Sequence, residues 1–203
     1  VLLECYDSAR AAIGDAIPIG VRLSGDEHMP DGIHHDELKI VVKTLGERGI
    51  DYVHLSNGSY EALKHFFPEK DGTMLEPAES FKSVLPDGVP VICCAIHDPA
   101  KSAAAIGAGR IDMVSMGRQM LADPDYANKV RAGEKYDKCA RFNECQLRTA
   151  RGLTVRCSTN PNLGRERVMP EYNRPARARK KQRVLHSLPE IPVPGLDNLR
   201  ELA

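Results

Sequence analysis

The sequence predicts a parallel α/β fold of four strand–helix units, half the number in a (β/α)8 barrel, followed by an irregular cysteine-containing extension. Three observations predict it. Four short apolar, β-branched runs recur along residues 1–133. Capped helical patterns lie between them. After Gly133 the composition shifts to cysteine, proline and basic residues.

The runs are Ile17–Ser24, Tyr52–Ser56, Val89–Ile96 and Ile111–Gly117. Continuous apolar runs of this length, rich in branched side chains, read as parallel strands buried on both faces. The segment from His35 to Gly49 places Leu38, Val41, Val42 and Leu45 on one helical face, with Asp36 near its N-cap and Gly46 and Gly49 near its end. Asp98 followed by Pro99 predicts a capped helix start, because an Asp side chain accepts from free N–H groups and proline has none to lose. Asp123 and Pro124 repeat the device. Strand and helix thus alternate, as in parallel α/β proteins. The loops after the strands carry Gly, Ser, Asp and His, and in a (β/α)8 barrel such loops build the active site.

A complete barrel takes about 250 residues. Half of one leaves two raw sheet edges. The expectation is therefore that an N-terminal half is absent, that another chain or a second copy supplies it, or that the strands form an open sheet. The chain starts at Val1 without an initiator Met, which reads as a fragment or a processed product. Lysine plus arginine total 28, as do aspartate plus glutamate, and this balance argues against nucleic-acid binding by bulk charge. No apolar run is long enough for a membrane span. Six cysteines without a secretory leader read as cytosolic thiols or metal ligands, hence a cytoplasmic protein. The basic run from Arg174 to Arg183 reads as a solvated tail.

The segments IPIGVRLSGDE, DYVHLSNGSYE and VPVICCAIHDPAKSAAAIGAGRIDMVSMGRQMLADPDYANKVRAG, with the three cysteines before Asn160-Pro161, resemble the NADH:flavin oxidoreductases of the old yellow enzyme superfamily. The resemblance runs from about Ile17 to Arg167 and is to the branch of 2,4-dienoyl-CoA reductase and trimethylamine dehydrogenase. It implies the C-terminal half of a (β/α)8 TIM barrel at 1–133, the last four strands, and an iron–sulfur-type segment with an extended tail at 134–203.

It also implies FMN at the barrel mouth. Arg22, at the end of its strand, would lie at the flavin's pyrimidine edge, where a fixed guanidinium stabilises negative charge on the reduced ring. Gly117 and Arg118 would cradle the phosphate, the glycine by letting backbone approach and the arginine by pairing. Where many relatives carry Gly-Gly-Ile, this chain has Cys94, Ala95 and Ile96; the Ala95 N–H would still reach phosphate, by a more crowded approach. Tyr60 is the candidate proton donor and His65 the runner-up. His54 reads as a packed core or rim residue. His28, His34 and His35 line the mouth or are solvated. Cys93 and Cys94 read as small buried hydrophobes.

In the cluster-bearing branch four cysteines hold a [4Fe–4S] centre. Cys139, Cys145 and Cys157 match the first, third and fourth, but Phe142 occupies the second position and has no lone pair for iron. The expectations are a lost cluster, a three-iron or labile cluster, or a ligand from outside; zinc on three cysteines is a minor alternative. The implied function is an FMN-dependent oxidoreductase of NAD(P)H:flavin, ene-reductase or amine dehydrogenase type, acting on a small molecule. The alternative is a non-catalytic remnant or subunit that requires a separate N-terminal half.

Overall fold

The computed structural model describes residues 1–165 except Tyr60 and Glu69. The chain forms two compact units, one over residues 1–115 and a second beginning at Met116, a division that precedes the composition change at Gly133.

In the first unit, helix α1 (Leu2–Ile13) leads to strand β1 (Gly20–Ser24). Then come α2 (His35–Glu47), β2 (Tyr52–Ser56), the single turn α3 (Leu63–Phe66), α4 (Leu75–Lys82), β3 (Val91–Cys93), α5 (Pro99–Gly107) and β4 (Met113–Val114). The strands form one sheet in the order β1-β2-β3-β4, and every pairing is parallel. All four predicted strands are present. The first, third and fourth are shorter than their apolar runs; at β3 this is because Ala95 turns the chain into the left-handed region (φ 60°) just after it. Gly20 opens β1 opposite Tyr52, and a Cβ there would collide with the tyrosine ring.

Alternation divides the sheet faces. Val53, Leu55, Val91 and Cys93 point into a core with Leu38, Val42 and Leu45 of α2 and Ala78 and Phe81 of α4. Burying these side chains is the main stabilising term, about 1.5–3 kcal/mol for each large one. The other face carries Arg22, His54, Ile92 and Met113 in register across the four strands. That is the face a closed barrel would turn inward.

Capping differs in part from the sequence expectation. Asp98 accepts from Ala100 N at 2.9 Å and Lys101 N at 3.2 Å, as expected. Helix α2 starts at His35 with Asp36 in its first turn, and the extended backbone of its N-cap His34 lets its N–H reach Glu37 Oε2 at 3.0 Å. Helix α1, which the apolar-run pattern does not mark, is anchored by Tyr6, whose hydroxyl donates to Arg48 O at 2.9 Å.

The second unit holds α6 (Arg118–Ala122), α7 (Tyr126–Ala132) and α8 (Glu144–Ala150). The cap–proline device expected at Asp123 is not formed: Asp125 precedes α7, and Asp123 ends α6. The Asp123 carboxylate is buried and accepts instead from Lys129 Nζ at 2.7 Å, Asp137 N at 3.0 Å and Asp125 N at 3.1 Å. The basic run at 174–183 and the rest of the tail lie outside the described residues.

Candidate functional site

The loops that follow β1 and β2 converge through Asp26. Its carboxylate accepts from His28 N at 2.6 Å and His35 N at 3.2 Å and faces His34 Nδ1 at 3.3 Å. Burial works to raise this carboxyl, but those N–H donors and the charge of His28 outweigh it and hold it below the ordinary carboxylate range. His28 itself sits at φ 56°, a conformation costly for a residue with a Cβ. Its ring stacks on His65, centroids 3.8 Å apart, and its Nε2 meets Asn57 Oδ1 at 2.9 Å. Asn57 Nδ2 donates to His65 O at 2.9 Å, which fixes the amide's orientation, so Asn57 Oδ1 accepts and His28 Nε2 carries a proton. Burial, then the charges of His28 and Lys64, push the His65 ring below its usual range, against a smaller pull from Asp26. His65, His28 and His34 thus belong to one constellation. Neither Asn57 nor Asp26 carried a pattern that marked it, since both appear only as ordinary loop residues. Tyr60, the expected proton donor, lies outside the described residues.

On the opposite sheet face Arg22 is exposed and stands in register with His54. His54 Nε2 meets Ser115 Oγ at 2.8 Å, a bridge that spans β3. Burial, and secondarily the Arg22 charge, lower the His54 ring's affinity for a proton. His54 is therefore a neutral bridging residue of the strand rim. Cys93 is fully buried, and its thiol is pushed up to about 12 by that burial and by Cys94, which makes it inert.

Ala95 holds its left-handed conformation with its carbonyl accepting from Gly72 N at 2.8 Å. Asp71 secures the residues after it by accepting from His97 N at 2.8 Å and Asp98 N at 3.2 Å. An alanine thus keeps the backbone shape that a glycine would adopt freely.

In the second unit, a Cβ added to Gly117 meets nothing within 4 Å. The space beside the backbone at this expected phosphate loop is open. Arg118, expected to meet phosphate, is 8% exposed, and its Nη1 donates to Asn143 Oδ1 at 2.6 Å. Its guanidinium is turned into the cysteine segment. Gln119 next to it clamps the same segment, donating to Asp137 O at 2.8 Å and accepting from Cys139 N at 3.1 Å. Asn160, of the Asn-Pro pair, donates to Leu121 O at 3.0 Å. Burial raises the Cys139 and Cys145 thiols, while Arg118 and the backbone N–H groups of Arg141 and Gln146 oppose it.

A sequence model of the NADH:flavin oxidoreductase / NADH oxidase family matches residues 1–137. The chain belongs to this family. Its members are flavin-dependent oxidoreductases. The chain is 33% identical over 185 residues to an NADH oxidase of Thermoanaerobacter brockii, covering 83% of this chain and 27% of that protein. It is 35% identical over 147 residues to a cinnamate reductase of Clostridium sporogenes, covering 68% and 21%. A solved 2-naphthoyl-CoA reductase superposes with a TM-score of 0.74 at 23% identity, over 85% of this chain and 26% of that one. A histamine dehydrogenase from Rhizobium sp. 4-9 gives 0.69 at 22%, over 80% and 24%. At these identities the two structures show the fold, that of part of a barrel oxidoreductase. The chain spans about a quarter of the length of the curated relatives it matches.

The family implies FMN, and the open space beside Gly117 fits a group approached by main chain. A [4Fe–4S] centre does not fit the donor set, because Phe142 stands where a fourth thiolate is required. Among the described residues no group of three His, Cys, Asp or Glu side chains is placed to hold a metal ion. No helix among them is long and apolar enough to cross a membrane.

Proposed function

We propose that this chain is the C-terminal half-barrel of an FMN-dependent oxidoreductase that takes reducing equivalents from NAD(P)H or from an amine. Bound FMN supplies hydride acceptance and release. The chain's own residues would bind and tune it. Arg22, exposed on the sheet face opposite the core, would hold negative charge at the pyrimidine edge. The backbone at Gly117 would approach the phosphate, while Arg118, whose guanidinium donates to Asn143 Oδ1, would act there only through its charge. Tyr60 would pass a proton to or from a small-molecule substrate such as an activated alkene. A reducing, cytoplasmic setting would keep the cysteines as thiols. The remaining strands would come from the rest of a longer chain, or from a separate or second copy, since β1 and β4 each present an unpaired edge within this sheet.

The observation that carries the reading is Gly117, a glycine whose missing side chain nothing among the described residues requires. Its φ of −100° is open to any residue, and a Cβ would meet no atom. Gly117→Val should leave the melting temperature unchanged within about 1 °C, a surface-sized effect. It should weaken FMN binding by about tenfold or more, from a steric conflict of about 1.4 kcal/mol or above. A fluorescence titration of FMN quenching measures this. Equal affinity in both proteins would remove Gly117 from the site.

A further inference from the structure

The stacked pair His28 and His65 takes no part in the FMN site above. Its two rings stand on the loops that leave the C-terminal ends of β1 and β2, the end of the strands where parallel barrels bind their ligands. Those loops are stitched together. Gly25 N donates to Ser56 O at 2.8 Å, Gly58 N to Asp26 O at 2.8 Å, and Ser24 Oγ to Gly58 O at 2.9 Å. Gly58 sits at φ 69°, and a Cβ there would lie 3.0 Å from Phe66 N and 3.1 Å from Ala62 O. The turn that carries His65 is thus packed hard against this junction, which gives its ring a fixed base.

The charges around His65 are unequal. His28 places Nε2 2.9 Å from Asn57 Oδ1 and Nδ1 3.5 Å from Asp26 Oδ1, so both of its ring nitrogens face acceptors. A ring with a proton on each nitrogen satisfies both, and that ring is a cation. The Asp26 carboxylate beside it is already engaged: it accepts from the backbone of His28 and His35 and faces His34 Nδ1. His65 lies nearly flat on His28, centroids 3.8 Å apart and planes 21° apart. Two positive charges at that separation repel unless a counter-charge joins them. Burial, then the charges of His28 and Lys64, keep the His65 ring below its usual range, against a smaller pull from Asp26. Among the described residues these are the ionisable groups that act on it. His65 is half-buried, and neither of its ring nitrogens has a hydrogen-bond partner among the described residues. An unengaged imidazole resting on a cation is a place where a negative group gains a donor and relieves the repulsion between the rings.

We propose that His65, with His28 beneath it, binds the carboxylate of a small-molecule substrate and takes up one proton as the carboxylate arrives. The proton comes from solvent and adds to the free ring nitrogen of His65; no covalent bond to the ligand forms. One imidazole offers one donor to one oxygen, which suits a monoanion, whereas phosphate groups are held by several cations or backbone N–H groups together. Asp26 and Asn57 are positioning residues that hold His28 under His65 despite its left-handed backbone at φ 56°. Resting on the oxidoreductase reading, this role makes the preferred substrate an unsaturated acid rather than a neutral alkene.

The test is benzoate, with neutral benzamide of similar shape as its control, added to the full chain without flavin and followed by nuclear magnetic resonance of the histidine rings. Benzoate should move the His65 ring signals and raise the pH at which that ring titrates. It should bind about tenfold or more tightly at pH 5.5 than at pH 7.5, by proton linkage. Benzamide should do none of these. His65→Gln should abolish the pH dependence. His28→Asn, which suits a left-handed backbone, should let His65 titrate at higher pH even without ligand. Unmoved His65 signals, equal binding of benzamide, or equal affinity at the two pH values would overturn the assignment. So would tighter binding of inorganic phosphate than of benzoate at pH 5.5. Flavin lost from the protein with benzoate still bound at His65 fails the cofactor site alone, and flavin retained with His65 unmoved fails this site alone.

Discussion

At the scale of single residues, the chain keeps shapes and charges that its side chains do not favour. Ala95 is the plainest case. A Cβ in the left-handed region costs about 1–2 kcal/mol, and a glycine there gives back part of that in unfolded-state entropy. Ala95→Gly should therefore stabilise the first unit by about 0.5–1 kcal/mol, read from urea denaturation. His54 and His65 carry a pH signature. Both rings hold protons more weakly when folded, chiefly because of burial, than the ordinary value of 6.5. The unfolded chain then binds more protons in the window just below 6.5, so stability present above that pH is lost as pH falls toward the folded values. Denaturation midpoints should drop between pH 7.5 and pH 5, and His54→Asn should flatten the drop. A midpoint rising over that interval would contradict the assignment. Arg22, Ala95 and Gly117 were legible as site candidates because motif and strand position coincide. Asp26 and Asn57 were not, because their importance lies in which loops they join, and only the folded chain brings those loops together.

At the scale of elements, caps were legible where one residue does one job and misleading where it does several. Asp98 precedes Pro99 and caps α5 with two hydrogen bonds. Asp123 precedes Pro124 in the same pattern, yet its buried carboxylate holds Lys129, Asp125 and Asp137 together. The sequence pattern is equal; the burial is not. Asp98→Ala should cost about 1 kcal/mol, the value of an N-cap. Asp123→Ala should cost about 2–3 kcal/mol, because it removes a buried acceptor that serves two backbone N–H groups and the half-exposed Lys129. Thermal melts of the two variants compare them directly, and similar shifts would contradict the distinction. Strands followed their apolar runs in number but not in length. The runs mark what is buried, while the left-handed turn at Ala95 decides where β3 stops.

At the scale of the whole molecule, four parallel strands in sequential order present one apolar face to the helices and another, bearing Arg22 and His54, away from them. The period of the apolar runs made this architecture legible. The chain spans about a quarter of the length of the relatives it matches. The segment of three cysteines was visible as a motif short of one ligand. Its clamp of Gln119, Asn143 and Asn160 was not, since buried amides leave no periodic trace in a sequence.

The account rests on flavin. Its most direct test is the visible absorption spectrum of the purified protein, mixed with FMN and passed through gel filtration. The account predicts that flavin absorbance elutes with the protein, and that Arg22→Ala shifts the reduction potential of the bound flavin to a lower value, because positive charge at the ring is lost. Flavin that elutes entirely with the small molecules would contradict the central claim.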